Sequence, residues 1–411
     1  MNEFYAYRGF CLCALEAAPP QEAVKVEAPF SPLCFLLKRD PCVSRGFFAV
    51  DDVSELYEGE GVNLLAQQAL PKAEPDLASL SAFVHENGAI ALNTAFSRAY
   101  SVLAQYRLRR GAAKRLTLVG LGDVGGTLLT GLKLLGEGLE QIAVYDPNAA
   151  QCERYEAELN QVLPLNDGAM LPKIVICEKD TLFDCDALLF TASRGVPGLN
   201  AKVNDVRMAQ YEANREMLAA YAKQARDTDF CGMFCQISDP VDQLSRAVFL
   251  ESNRENGVFD ANGLLPEQVQ GFGLGVMRAR ALYYAQKRGA DAAALCAYGP
   301  HGSGLVVANA PDAGYDDALS CALTEEALHA NLRIRALGFK PYIAPGLSSA
   351  CVSVLRMLRG QWHDGAVSIG GAYFGCTSRM SENGLQIRRR TLCAPLFKRL
   401  EESWRALRDF E

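Results

Sequence analysis

The sequence predicts an α/β fold built on a parallel sheet, on three observations. The first is a short apolar run, Leu116 to Val119, that meets Gly120-Leu121-Gly122-Asp123-Val124-Gly125, then an amphipathic helical pattern, then a second apolar run from Ile142 to Tyr145 ending in Asp146. Strand, tight turn, helix, strand is the context that gives G-x-G-x-x-G a mechanism. Gly120 permits the turn, Gly122 lets backbone approach a pyrophosphate, and Gly125 lets the helix pack closely on the strand. The helix N-terminus then offers unpaired N–H groups and a positive dipole end to phosphates. Asp146, 21 positions past the last glycine, suits the hydroxyls of an adenosine ribose. It would repel a 2′-phosphate, and Pro147 and Asn148 supply no arginine to receive one. The expected cofactor is therefore NAD rather than NADP, held by Gly120, Gly122, Asp123, Val124, Gly125 and Asp146. The second observation is that the strand–helix alternation continues to about residue 243. The third is a composition typical of globular proteins, 49% hydrophobic and 22% charged.

A length of 411 residues gives roughly two to three domains. The boundaries read from the pattern are 1–112, a small α+β appendage; 113–243, a Rossmann-type nucleotide-binding domain; and 244–411, an α+β catalytic domain. A formal charge of −7 and the lack of a strongly basic stretch argue against nucleic-acid binding. The densest basic runs, Arg107-Leu108-Arg109-Arg110 and Arg388-Arg389-Arg390, read as solvated faces or helix ends. The 14 cysteines are scattered and mostly lie in apolar runs, as small hydrophobes do in a reducing compartment. They lack zinc or redox spacing, so no metal is expected. There is no basic leader and no run of the ~18 apolar residues a membrane span needs. A cytoplasmic protein without a membrane partner is expected.

In chain order, strand-like runs at Phe10 to Leu15, Pro32 to Leu37 and Gly46 to Val50 precede a loop at Pro71 to Pro75 and a helical pattern from Leu77 to Tyr106. The front segment is expected to pack as a separate module that does not complete the nucleotide sheet. His85 reads as a surface or capping residue at a helix end. After Asp146 come a helix (Asn148 to Leu163), a strand (Ile174 to Cys177), and Ala187 to Ala192, which opens into Ser193-Arg194-Gly195-Val196-Pro197-Gly198, a loop placed where ligands bind in such sheets. A helix from Val206 to Arg226 and a strand from Phe230 to Ile237 end at Ser238-Asp239-Pro240-Val241-Asp242. A helix near Val241, a long helix from Pro266 to Arg288, and Gly299-Pro300-His301-Gly302 follow. Then come an apolar helix (Ser348 to Leu358), strands between Gly365 and Phe374, a hairpin at Glu382-Asn383-Gly384, and a closing helix with Leu396, Leu400, Trp404 and Leu407 on one face.

Taken in order, these motifs resemble the lactate/malate dehydrogenase family over roughly residues 113–375. The glycine loop and Asp146 match the family's nucleotide fold. Thr191-Ala192-Ser193 matches its Thr-Ala-Gly strand end. Arg207 and Asn214 match its substrate-loop arginine and the asparagine seven positions later. Ser238-Asp239-Pro240-Val241-Asp242 matches Ser-Asn-Pro-Val-Asp, Met277-Arg278-Ala279-Arg280 matches Asp-x-x-Arg, and Gly299-Pro300-His301-Gly302 matches Gly-x-His-Gly. The resemblance adds Thr191, Ala192, Ser193, Asn214 and Ser238 to the expected cofactor contacts. It implies an NAD-dependent dehydrogenase of a small 2-hydroxy or 2-oxo acid, and a homo-oligomer, dimer or tetramer.

The chemistry can be argued from residue types. Hydride exchange with a carbinol carbon needs a group that takes or gives the hydroxyl proton, and His301 suits it. Arg280 can hold a substrate carboxylate in a two-pronged pair. Arg207 or Arg194 can stabilise charge growing on oxygen. Three departures bear on activity. The aspartate that orients the family's histidine is Met277 here, the asparagine of Ser-Asn-Pro is Asp239, and the loop before Arg207 is about six residues longer. Asp239 can replace the missing histidine partner, or can cap the helix beginning at Pro240. Two other functions remain open: a catalytically altered NAD-binding regulatory or assembly protein, and an NAD-dependent glycosidase, which would also need a metal site.

Overall fold

The computed structural model describes residues 2–67, 72–112, 114–166, 168, 170–194 and 206–410, with the side chains of 206–209 outside the description. The loop positions 195–198 and the lengthened stretch before Arg207 therefore lie outside the described residues, as does the Arg207 side chain. The front segment supplies strands β1 (Phe4–Tyr7), β2 (Phe10–Ala14), β3 (Val24–Val26), β4 (Leu33–Leu37), β5 (Phe47–Val50) and β6 (Ala89–Asn93), with helices α1 (Ser81–Asn87) and α2 (Ala99–Arg109). The middle supplies β7 (Lys114–Val119), α3 (Asp123–Leu135), β8 (Leu139–Tyr145), α4 (Ala149–Asn160), β9 (Lys173–Ile176), β10 (Ala187–Phe190), α5 (Val206–Asp227), β11 (Met233–Gln236), α6 (Val241–Ser252) and β12 (Val269–Gly271). The remainder supplies α7 (Leu274–Lys287), α8 (Asp317–Ala336), α9 (Val352–Leu358), β13 (His363–Ile369), β14 (Ala372–Ser381), β15 (Gly384–Ile387) and α10 (Ala394–Arg408).

The parallel strands run in the order β9-β8-β7-β10-β11-β12. That is 3-2-1-4-5-6 counted from β7, the doubly wound arrangement whose strand order reverses between β7 and β10. The strands are apolar runs because helices cover both faces: all four residues of β10 and all four of β11 are buried. Register sets the next level of organisation. Val119 pairs with Tyr145 and Phe190, Phe190 with Gln236, and Gln236 with Gly271. The residues following these five therefore share one crest at the carboxyl ends of the strands.

Three elements differ from the sequence pattern. The helical reading over Leu77–Tyr106 is interrupted by β6, a wholly buried strand that begins after Gly88, which has φ +66°. Its Ala-Ile-Ala-Leu-Asn composition carries no alternation because both faces are covered. The long helix expected from Pro266 begins at Leu274, after β12 has added the sixth parallel strand. The parallel run thus ends at Gly271, past the 243 boundary. Helix α8 escapes the sequence pattern because its buried stripe, Ser320, Leu323, Thr324, Ala327 and Ala330, is mostly small or polar.

The front strands are not inserted among the parallel ones, but neither do they stand apart. β12 pairs with β13, and β13, β14 and β15 form an antiparallel run. β15 then meets β5 at Leu385 and Phe48, so among the described residues one sheet of 15 strands crosses the molecule. One apolar core runs from Phe4 and Phe35 through Leu118 and Phe234 to Phe374 and Leu400. Strand edges need partners, and β15 gives the front segment one. The buried Glu267 carboxylate adds a polar tie, accepting N–H bonds from Gly46 (2.9 and 3.1 Å) and Phe47 (3.1 Å). His85 is exposed in the last turn of α1. All 14 cysteines are free thiols. No described helix is long and apolar enough to cross a membrane.

Candidate active site

The crest is built around the turn that leaves β7. Gly120 has φ +96°, and a side chain there would press on the Ala192 backbone, 2.6 Å from an added Cβ. At Gly125 a Cβ would lie 2.1 Å from the Gly120 carbonyl oxygen, whereas at Gly122 it would meet nothing within 4 Å. The first and third motif glycines thus serve packing, and the second faces open space. Helix α3 starts at Asp123, within the Asp123-Val124 link of the loop, with no side-chain cap, so its first N–H groups point outward unanswered. Asp146 follows β8, and its two carboxylate oxygens accept from Leu121 N–H (2.7 Å) and Asn148 N–H (2.9 Å). This holds the carboxylate against the glycine turn.

The ends of β10 and β11 are locked to this turn by side chains. Thr191 Oγ1 donates to the Gly120 carbonyl (2.7 Å) and Ser238 Oγ to the Ala192 carbonyl (2.6 Å). Asn214, 1% exposed, donates to the Asp239 carbonyl (2.8 Å) and to Ser193 Oγ (3.2 Å), and accepts from Arg194 N–H (2.7 Å). A buried amide with all of these bonds satisfied ties the loops after β10 and β11 to helix α5 in one arrangement.

Beside this crest lies a cleft of about 670 Å³ whose walls include Asp239, Met277, Arg280, His301 and Asn331. His301 is fixed at two points, and a carboxylate faces its free ring nitrogen. Its N–H donates to Asp242 Oδ2 (2.7 Å), its Nδ1 lies 2.8 Å from the Gly273 carbonyl, and its Nε2 lies 3.8 Å from Asp239 Oδ1. A carbonyl can only accept, so Nδ1 carries a proton and Nε2 is the nitrogen left for proton exchange. Gly273 must be glycine, since a Cβ there would sit 2.5 Å from His301 Cβ. Asp242 is buried, and burial pushes its carboxyl up to about 7 against the opposing His301 N–H bond. Arg280 reaches the same cleft from α7. One Nη touches Met277 Sδ (3.4 Å) and the Ala327 carbonyl (3.5 Å), and the other bonds Asn331 Oδ1. Burial lowers its pKa and the charge of Asp239 opposes the change.

These positions revise the two readings of Asp239. The tautomer-fixing partner at Nδ1 is the Gly273 carbonyl, one helical turn before Met277, and Asp239 Oδ1 faces Nε2 at 3.8 Å, an ion-pair distance for the protonated ring and within reach of one bridging water. Nor does Asp239 cap α6, whose cap residue is Pro240 with no side-chain bond. Arg194 is not brought to the cleft; its exposed guanidinium pairs with Glu216 at 3.3 Å. Sequence patterns missed Asp242, Asn331 and Lys340. Asp242 stood inside a quoted motif and could have been suspected as an acid beside an apolar helix face. Asn331 and Lys340, which bonds Asp123 at 2.9 Å, come from segments with no motif. No group of His, Cys, Asp and Glu suited to a metal ion occurs among the described residues.

No protein-family profile matches the chain. An L-lactate dehydrogenase from Treponema denticola is 29% identical over 146 residues, 35% of this chain and 43% of that protein. The aligned stretch thus spans less than half of the relative's length. Similar solved structures include a lactate dehydrogenase from a Medee basin deep-sea metagenome library (19% identity, TM-score 0.56, covering 72% of this chain and 97% of that one). A minor L-lactate dehydrogenase from Enterococcus mundtii in a ligand-bound form matches at 18% identity and TM-score 0.58 over 72% and 96% of the two chains. The malate dehydrogenase from Archaeoglobus fulgidus in complex with NADH matches at 17% identity and TM-score 0.58 over 72% and 97%. The chain carries the fold of the lactate and malate dehydrogenases, and part of it is similar in sequence to an L-lactate dehydrogenase.

Proposed function

We propose that this protein is an NAD-dependent oxidoreductase that interconverts a small 2-oxo acid and its 2-hydroxy acid. The observation that carries the reading is that His301, with its Nδ1 proton already committed, shares one cleft with Arg280 and with Asp239, which follows β11 on the crest. The residues present fit a dinucleotide. Gly122 opens on space, the N-terminus of α3 is uncapped, and Asp146 stands at the end of β8. NAD, when bound, would accept or supply the hydride at the substrate carbon. In the reducing direction His301 Nε2 gives its proton to the carbonyl oxygen, and in the other direction it takes the hydroxyl proton. Arg280 holds the substrate carboxylate through the N–H groups not engaged by Asn331 and Ala327. Asn331 and Met277 position that guanidinium.

Two outcomes test the reading. Arg280→Leu is expected to raise KM for the acid by about a hundredfold, the loss of a charge-assisted pair, with NAD affinity unchanged in calorimetric titration. In the same titration NAD should bind the unaltered protein more tightly than NADP, because the Asp146 carboxylate at the end of β8 would repel a 2′-phosphate. Tighter NADP binding would contradict the cofactor assignment.

One observation favours a second reading, an NAD-binding protein that no longer turns over an acid. Asp239 is a carboxylate in the same cleft, with its charge acting on Arg280, and it opposes entry of an anionic substrate. A homo-oligomer is proposed under either reading, and sedimentation would measure it.

A further inference from the structure

The basic run Arg388-Arg389-Arg390 has no part in the cleft above and is not a free surface face. It follows β15, where Arg388 N–H bonds the Thr377 carbonyl at 2.9 Å. The register Asp364–Thr377 and Arg379–Gln386 brings Trp362, Arg379 and Arg388 together on one side of β13–β15. The guanidinium carbons of Arg379 and Arg388 lie 4.6 and 4.5 Å from the centroid of the Trp362 ring. These three side chains border a cavity of about 290 Å³ that shares no lining residue with the His301 cleft.

Charges around this cavity are unevenly answered. Arg389 is paired with Glu58 and Glu55, and Arg45 with Glu60. Asp364 is engaged by Thr377 Oγ1 (2.8 Å) and Arg278 (3.5 Å). Arg379 uses Nε on Gln386 Oε1 (2.6 Å). Among the described residues, the Arg388 guanidinium rests on Trp362 and makes no hydrogen bond or ion pair. Burial and the neighbouring charges of Arg390, Arg278 and Arg379 lower its pKa, with Asp364 opposing; four arginines line the cavity against two carboxylates, Asp51, which accepts from Gln386 Nε2 at 2.8 Å, and Glu55, which pairs with Arg389. Arg45, which also lines the cavity and is 6% exposed, has an Nη2 without a partner. Guanidinium groups that rest over an aromatic ring keep N–H groups available at their edges, and those groups match the oxygens of phosphate or carboxylate.

We propose that the cavity walled by Trp362, Arg379 and Arg388 binds a small anion of at least two negative charges, of phosphate or carboxylate chemistry, apart from the His301 cleft. Trp362 and Trp404 are the two tryptophans of the chain, so Trp404→Phe leaves Trp362 as the sole tryptophan, read with excitation that tyrosine does not absorb. Titration of that variant with pyrophosphate, and separately with citrate, at constant ionic strength should give a saturable change in emission. Saturation by pyrophosphate alone assigns phosphoryl chemistry, and saturation by citrate alone assigns polycarboxylate chemistry. Adding Arg379→Gln and Arg388→Gln should weaken binding by about tenfold or more. Calorimetric melting of the unaltered chain should show a rise in Tm with the same anion that Arg388→Gln alone diminishes. No saturable change with either anion, or the same response in the arginine variants, would overturn the proposal.

Discussion

His301→Asn is expected to lower turnover of the 2-oxo acid by roughly 10²- to 10⁴-fold, the usual contribution of a positioned acid–base group, or about 3–5 kcal/mol in barrier height. The substitution is suited to the geometry. An asparagine amide can still donate to the Gly273 carbonyl, and the backbone N–H to Asp242 is retained, so the turn that holds the residue should survive. Affinity for NAD, measured by calorimetry, should not change, because the glycine turn and Asp146 lie on other loops. Turnover within a few-fold of the unaltered protein would mean that the proton comes from elsewhere.

Glu267→Ala is expected to destabilise the protein by roughly 2–5 kcal/mol, because it leaves the buried N–H groups of Gly46 and Phe47 without an acceptor. A denaturant titration measures the loss, and it should fall on the junction between the front segment and the rest of the sheet. The same residue makes stability depend on pH. Burial raises the Glu267 carboxyl from 4.5 to about 7, against the opposing N–H bonds and Arg45. The unfolded chain therefore ionises first as pH rises, and unfolding becomes easier across that window. The group's contribution is fully present below about 4.5, declines through the interval, and is gone above about 7. Its size is roughly 3 kcal/mol. Asp242, raised from 3.8 to about 7 by burial, acts in the same direction. Glu267→Gln keeps an acceptor but cannot titrate, so its stability should vary less with pH than that of the unaltered protein over the same range. An identical pH dependence would contradict the assignment.

What the sequence made legible was local. The glycine turn, Asp146, the β10 and β11 ends and the His301 turn each declare themselves within a few residues, because the constraint on each is a tight backbone turn or a strand that stops. Arg280 could be placed because Met277-Arg278-Ala279-Arg280 resembles the Asp-x-x-Arg of the lactate/malate dehydrogenase family. Long-range pairing was not legible. Nothing in Phe47–Val50 announces that its partner is Gly384–Ile387, more than 300 residues away, and three-residue β12 is too short to show a period. β6 is buried on both faces and so shows no alternation. The partner of His301 escaped sequence reasoning for a related reason, since it is the backbone carbonyl of Gly273, and a carbonyl leaves no residue signature. Asn331 likewise joins Arg280 across a helix pair whose packing residues are mostly small.

The most direct test of the proposed activity is a spectrophotometric assay of NADH consumption by the unaltered protein with a panel of 2-oxo acids, including pyruvate and oxaloacetate, with the product identified as the 2-hydroxy acid. The geometry of His301 and Arg280 predicts that at least one acid is reduced with saturation kinetics. Tight NADH binding in the same preparation with no reduction of any acid would contradict it, and would assign the cleft, with Asp239 facing Arg280, to a protein that binds the cofactor without turning it over.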